Sequence, residues 1–312
     1  MTSKRKAPTG ILGFPTAPLN ESGNIDEKAL AINIDYLIRE GLSSIFIACG
    51  SGEFHAISRL EYQRMVEVAI ETTDGRVPVY TGVGGNIKDA IELLRLSEDL
   101  GADGYLILPP YLVNGEQEGL YNYYKTIIQT SELNAILYNR DNAIVNLNTL
   151  QRLVDQFPQI VALKDGHGDM ELNLELVQTI GNRLEWLNGM PFAEITMPAY
   201  ANIGYSAYSS AMSNYMPHIS KMFYDALLEG NEALVSEIYI NVLLPINRIR
   251  KARKGYAVSL IKAGMEIQGF PVANTVRPPC IPVESGHYQE LKKIIVSALE
   301  KYPVTSEQTT NL

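Results

Sequence analysis

The sequence predicts an α/β chain of the (β/α)8, or TIM-barrel, class with a C-terminal helical extension. Short apolar runs recur roughly every 20 to 35 residues, each followed by a stretch of helical period with its own cap signals. Eight such runs can be read, and 312 residues accommodate a barrel of about 250 residues with a remainder. The rival architecture, a doubly wound open sheet, wants Gly-x-Gly-x-x-Gly directly after its first strand. Gly10-Ile11-Leu12-Gly13 does not supply it. The glycines of Gly82-Val83-Gly84-Gly85-Asn86 come only after the third run, where a lone cluster is weak support for a phosphate site.

In chain order, the first strand is expected at 11–14, where Ile11, Leu12 and Phe14 precede a turn, and the first helix at 26–40, opened by Asp26. The second pair is 44–48 and 59–72, the third 78–81 and 86–100, the latter opened by Asn86. Then come 104–108 with 116–130, 135–138 with 147–157, and the run Ile160-Val161-Ala162-Leu163-Lys164 with a helix at 169–180 opened by Asp169. The last two pairs are 184–187 with 191–201 and 205–209 with 213–229. From 231 onward only helical patterns remain, at 233–253, 257–266 and 285–301, with Pro278-Pro279 interrupting them. We therefore expect a catalytic barrel over 8–230, a helical appendage packed on it over 231–304, and a frayed tail at 305–312. No low-complexity linker separates the first two.

Composition narrows the function. The chain is 46% hydrophobic and 20% charged, enough to bury a core and unlike a disordered or fibrous sequence. A net charge of −9 repels polyanions, so no nucleic-acid partner is expected. Two cysteines, Cys49 and Cys280, make no disulfide framework and point to a reducing, cytoplasmic setting. The basic opening is followed by Ala7-Pro8-Thr9-Gly10 rather than the apolar stretch of a signal peptide, and no segment reads as a membrane span. His55, His167, His218 and His287 are scattered without metal-ligand spacing, so no metal is expected.

In a barrel of this class the reacting groups sit at the C-terminal ends of the strands and in the loops beyond. Three polar clusters occupy such places: Gly50-Ser51-Gly52-Glu53, Tyr138-Asn139-Arg140-Asp141-Asn142, and Lys164-Asp165-Gly166. Lys164 closes an apolar run, where a buried ammonium is costly and desolvation lowers its pKa. A partly neutral lysine attacks a carbonyl to give a Schiff base; the alternative is a lysine paired with Asp165 or another carboxylate. Tyr138, on the neighbouring strand, is placed to shuttle a proton, or simply to pack. Arg140 offers a planar fork to a carboxylate, or a surface ion pair with Asp141. Ser51 and Gly52 let a hydroxyl and backbone amides approach an anion, and Glu53 either braces that loop or touches substrate. Met190, Ser209 and Ser210 follow the seventh strand or end the eighth, and by place complete a pocket. The cluster Arg248, Arg250, Lys251, Arg253 and Lys254 reads as a solvated face or an interface. Trp186, Tyr205, Tyr208, Tyr215 and Tyr224 read as core.

From about Pro8 to the C-terminal helices the sequence resembles the Schiff-base lyase superfamily of dihydrodipicolinate synthase and N-acetylneuraminate lyase. Four motifs in order are similar to its 5-dehydro-4-deoxyglucarate dehydratase branch: Tyr138-Asn139-Arg140-Asp141-Asn142, Lys164-Asp165-Gly166-His167-Gly168-Asp169, Gly189-Met190-Pro191 and Lys254-Gly255-Tyr256-Ala257-Val258-Ser259. The departures separate it from the synthases. Gly50 and Ser51 stand where a synthase has two threonines, Leu112 stands where its second tyrosine falls in Pro110-Tyr111-Leu112, and Arg140 lies closer to Tyr138. The resemblance implies loss of water and carbon dioxide from a keto sugar acid, 5-dehydro-4-deoxy-D-glucarate, to give 2,5-dioxopentanoate. It implies Lys164 as Schiff-base lysine, Tyr138 as proton shuttle, Ser51 and Gly52 as carboxylate binders, no cofactor, and a homo-oligomer, dimer or tetramer. Two other readings stay open: an aldolase of the same superfamily that releases or joins pyruvate, and a non-catalytic sugar-acid-binding barrel.

Overall fold

The computed structural model describes residues 6–304; the tail expected at 305–312 lies outside the described residues. Eight parallel strands close in sequence order into a barrel: β1 (Gly10–Gly13), β2 (Ile45–Ile47), β3 (Val79–Val83), β4 (Gly104–Ile107), β5 (Asn134–Asn139), β6 (Ile160–Asp165), β7 (Glu185–Asn188) and β8 (Ala207–Ser210). Every expected run becomes a strand, because a parallel strand covered on both faces must be apolar nearly throughout. Closure is made by β8 against β1, with Leu12 opposite Ser209 and Gly13 opposite Ser210.

The strands alternate with α1 (Glu27–Arg39), α2 (Arg59–Thr73), α3 (Ile87–Asp99), α4 (Gln117–Ile128), α5 (Leu147–Gln156), α6 (Met170–Ile180), α7 (Ala193–Asn202) and α8 (Pro217–Leu228). Asp26, Asn86, Asn146 and Asp169 each accept a backbone N–H of the first turn, and Ser58 with Glu61 forms a reciprocal capping box. These caps satisfy amides that the first turn leaves unpaired, so each loop ends sharply above the barrel.

Strand pleating sorts successive side chains to opposite faces. Leu12, Phe46, Tyr80, Leu106, Ile136, Ala162 and Leu187 fill the barrel interior, where Phe14, Phe46 and Tyr80 stack with ring centroids 4.5 and 5.0 Å apart. Leu137, Leu163, Ile45 and Tyr208 face the other way, into the core between strands and helices. Trp186, Tyr205 and Tyr215 are buried in that same outer core, and Tyr224 packs against it, as expected from the sequence.

Beyond α8 the chain continues as α9 (Glu232–Ile238), a π-helical turn at Tyr239–Leu243, α10 (Leu244–Ala252), α11 (Tyr256–Ile267) and α12 (Ser285–Lys301). The single regular helix expected at 233–253 is thus interrupted by a wide turn. Ile246, Ile249, Leu260, Leu291 and Ile295 join the outer core. Tyr239 donates to the Ile195 carbonyl at 2.9 Å, and Gln268 to that of Tyr215 at 2.9 Å, tying these helices to barrel elements. A buried ion pair joins Lys262 of α11 to Glu53 of the loop after β2, and Lys262 also donates to the Thr275 carbonyl at 2.8 Å. Arg277 reinforces the junction: its backbone N–H donates to Glu53 at 2.8 Å, and its guanidinium binds Glu61 and the carbonyls of Ala56 and Gly23. Cys49 and Cys280 are both free. No helix of the described residues is long and apolar enough to cross a membrane.

Candidate active site

At the C-terminal ends of the strands a cavity of about 530 Å³ opens between the β2, β4, β5, β7 and β8 loops and the helices beyond the barrel. Lys164 lies at its inner end, on β6 and 5% exposed. Its register partner on β5 is Tyr138, and on β7 Leu187. The ammonium sits 4.2 Å from the ring centroid of Tyr138 and 4.4 Å from that of Phe14. Among the described residues no carboxylate pairs with it. Burial, with a smaller push from the Arg140 charge against a pull from Cys49, lowers its pKa to about 8. Part of the population therefore carries the free amine at neutral pH.

Asp165 is not its partner. Being the next residue on a strand, it points to the opposite face. There its carboxylate accepts from Tyr200 at 2.5 Å, Asn173 at 2.9 Å and the backbone amides of His167 and Gly168 at 3.2 and 3.1 Å. The loop after β6 is fixed by these bonds, and Lys164 is left with aromatic faces.

Two glycines make room for Lys164 and Tyr138. A Cβ on Gly189 would fall 2.6 Å from Lys164 Cγ, and one on Gly166 would fall 2.7 Å from the Tyr138 hydroxyl. Tyr138 donates to the Gly189 carbonyl at 3.0 Å, and burial pushes its phenol up to about 12, so it is a protonated donor across the neutral range. Cys49 lines the cavity beside them, its thiol raised to about 12 by burial and so kept protonated.

Of the other residues singled out from sequence, Ser51, Arg140, Met190 and Ser209 line this cavity with Lys164 and Tyr138. Gly52 does not; it is buried behind the loop, where a Cβ would press on the Ala48 backbone at 3.2 Å. Ser210 borders the cavity, but its hydroxyl turns outward to Glu194 at 2.5 Å, as alternation after the inward Ser209 requires. Glu53, 1% exposed, braces the loop through Lys262. Arg140 forms the ion pair considered for it and also borders the cavity. It binds Asp141 at 3.2 Å and the Gly166 carbonyl at 3.2 Å.

Several other lining residues are given no individual role by the sequence reading. Phe14 reaches in from beyond β1, and Ala257, Val258 and Ile261 come from α11. Asn142 lines the wall while donating to the carbonyls of Pro110 and Val113 at 2.8 and 2.6 Å, which holds the loop after β4 in place. Arg250, from α10, also faces the cavity. Lys164, Arg140 and Arg250 thus meet there with one lining carboxylate, Asp141, which is already bound to Arg140. The lining is suited to an anion. Among the described residues no group of three or more His, Cys, Asp or Glu side chains is arranged to hold a metal ion.

Fold and site together define a TIM-barrel enzyme whose cavity, at the C-terminal face, gathers positive charge around a desolvated lysine. The chain belongs to the dihydrodipicolinate synthetase family, whose model matches residues 7–298. It is 62% identical over 306 residues to a protein of Bacillus licheniformis named "Probable 5-dehydro-4-deoxyglucarate dehydratase", covering 98% of this chain and 99% of that one. It is likewise 62% identical over 303 residues to a Bacillus subtilis protein of the same name, covering 97% and 98% of the two chains. Among solved structures, dihydrodipicolinate synthase from Oceanobacillus iheyensis superposes with a TM-score of 0.86 at 25% identity, over 93% of this chain and 96% of the other.

Proposed function

We propose that this protein is a decarboxylating dehydratase that converts 5-dehydro-4-deoxy-D-glucarate to 2,5-dioxopentanoate, water and carbon dioxide through a Schiff base on Lys164. The observation that carries the reading is the buried amine of Lys164, flanked by the rings of Tyr138 and Phe14 and paired with no carboxylate among the described residues. The names of the two Bacillus relatives supply the substrate.

The neutral amine attacks the substrate ketone, and loss of water from the carbinolamine leaves an iminium. That cation acidifies the adjacent methylene. Removal of a methylene proton and departure of hydroxide from the next carbon give an iminium conjugated to a carbon–carbon double bond. The carbon–carbon bond to the far carboxylate then breaks, carbon dioxide leaves, and its electron pair flows through the conjugated system to the imine nitrogen. Protonation on carbon and hydrolysis release the aldehyde and return free Lys164. The imine is the electron sink throughout, so the sequence of steps calls for no cofactor.

Tyr138, protonated and beside Lys164, serves as the proton shuttle at the carbinolamine oxygen. Ser51, across the cavity, offers its hydroxyl to the carboxylate next to the ketone, and Gly52 supports that loop from behind. Met190 and Ser209 shape the wall, with Ser210 holding the end of β8. We take the protein to be a cytoplasmic homo-oligomer, a dimer or tetramer, in keeping with its two free cysteines and with an exposed apolar run at Tyr111, Leu112 and Val113.

The test is carbon dioxide release from 5-dehydro-4-deoxy-D-glucarate by purified protein, with Lys164→Ala alongside. Release by the parent and none by the variant, at unchanged circular dichroism, is the expected result. Pyruvate in place of carbon dioxide would make the protein an aldolase, and binding without turnover would make it a sugar-acid-binding barrel.

A further inference from the structure

The five basic residues that follow the barrel do not behave alike. Arg248, Lys251, Arg253 and Lys254 are exposed, and Arg253 pairs with Glu284 at 3.0 Å. Arg250 is only partly exposed, lines the same cavity as Lys164, and buries its Nε without a hydrogen-bond partner. Among the described residues it has no acidic partner. Burial, and the like charge of Arg140, hold its pKa below the usual guanidinium range, yet a guanidinium remains charged throughout the neutral range. A cation desolvated beside a second cation is unfavourable unless an anion sits with them.

Position separates Arg250 from the groups already assigned. Lys164 is at the buried end of the cavity, whereas Arg250 and Arg140 are partly open to solvent. A molecule bound through its carbonyl at Lys164 and extending outward reaches the guanidiniums with its far end. Arg140 already spends donors on Asp141 and on the Gly166 carbonyl. Arg250 has the freer fork. The π-helical turn at Tyr239–Leu243, just before α10, inserts a residue and so changes which side of the following helix faces the barrel.

We propose that Arg250 binds the carboxylate of the substrate that lies farthest from the Schiff-base carbon, and so selects dicarboxylate keto acids over monocarboxylate ones. The proposal rests on the reading of Lys164 as the amine that condenses with the ketone. The carboxylate held by Arg250 is the one that departs as carbon dioxide. Its charge is present in the bound substrate and disappears as the bond breaks, so this contact contributes to binding more than to the chemical step. The product keeps only the carboxylate beside the ketone and is no longer held at its outer end, which favours its release.

Arg250→Gln and Arg250→Lys are compared with the parent in three measurements: KM and kcat for carbon dioxide release, inhibition by 2-oxoadipate, and borohydride trapping of pyruvate on Lys164. Loss of a charge-assisted hydrogen bond should raise KM and weaken 2-oxoadipate inhibition by roughly 10- to 100-fold in the Gln variant. kcat should fall far less than kcat/KM, pyruvate trapping should be unchanged, and the Lys variant should recover part of the loss. An unaltered KM and unaltered 2-oxoadipate inhibition would overturn the proposal. So would an equal loss of pyruvate trapping, which would mark Arg250 as a support of the whole site. If the parent neither releases carbon dioxide nor traps pyruvate, it is the Lys164 reading that fails. Calorimetric binding of 2-oxoadipate to parent and Gln variant then still decides the matter, weaker binding to the variant supporting the Arg250 subsite and equal binding rejecting it.

Discussion

Lys164 and Lys262 are both buried lysines, one on the strand β6 and one on the helix α11, and their surroundings are opposite. Lys262 is fully enclosed, its ammonium paired with Glu53 and bonded to the Thr275 carbonyl. Lys164 faces two aromatic rings and, among the described residues, no carboxylate. Burial lowers both pKa values; at Lys262 the charge and hydrogen bond of Glu53 pull the other way, whereas at Lys164 the opposing pull comes from Cys49 rather than from a carboxylate, with Arg140 adding a smaller push downward. The same side chain at the same depth is thus a fastener in one place and, in the mechanism we propose, a nucleophile in the other. What distinguishes the two is whether the fold supplies the counter-charge.

Removal of each lysine should break the symmetry between them in opposite directions. Lys262→Met leaves Glu53 buried without its cation, and losing one partner of a buried pair costs about 3 to 5 kcal/mol. It also loosens the junction between the loop after β2 and the helices that carry Arg250. Lys164→Met removes a desolvated ammonium that, among the described residues, no carboxylate neutralises. The fall from 10.5 to about 8 sets the gain at up to about 3 kcal/mol at neutral pH. Denaturant melts of the two variants check both signs; a stabilised Lys262→Met, or a Lys164→Met as unstable as it, would erase the distinction.

A smaller effect sharpens the comparison through pH. Because the folded pKa of Lys164 is depressed, its penalty on stability is fully present below about 8 and is relieved as pH rises from there toward 10.5. The advantage of Lys164→Met over the parent should shrink across that window. Reactivity follows the same group. The rate of borohydride-trapped imine formation with pyruvate should rise about tenfold per pH unit below 8 and level off above it. A profile still rising steeply past pH 9 would mean that Lys164 has a neutralising partner after all.

Most of the architecture was legible because buried parallel strands and capped amphipathic helices leave strong local marks. The apolar run ending in Lys164, with Asp26, Asn86 and Asp169 opening helices, marks its elements from the sequence alone. Lys164, Tyr138, Ser51, Arg140, Met190 and Ser209 were found by a positional rule, that of strand ends. That rule does not say which way a side chain points, so Ser210 was grouped with Ser209 although its hydroxyl turns outward, and Gly52 with Ser51 although it stands behind the wall. Arg250 was hidden for another reason. Its place in the cavity depends on the phase of α10 after a π-helical turn, and on docking against barrel loops distant in the chain, neither of which periodicity records. The Glu53–Lys262 pair was unreadable on the same ground, its partners being 209 positions apart.

The most direct test of the difference between the two lysines is to treat the protein with 5-dehydro-4-deoxy-D-glucarate and borohydride and to map the reduced adduct by peptide mass spectrometry. The adduct is predicted on Lys164 and absent from Lys262, with loss of carbon dioxide release in step with labelling. Carbon dioxide release with no adduct on Lys164, or labelling on another lysine, would contradict the claim that the lysine without a counter-charge is the one that reacts.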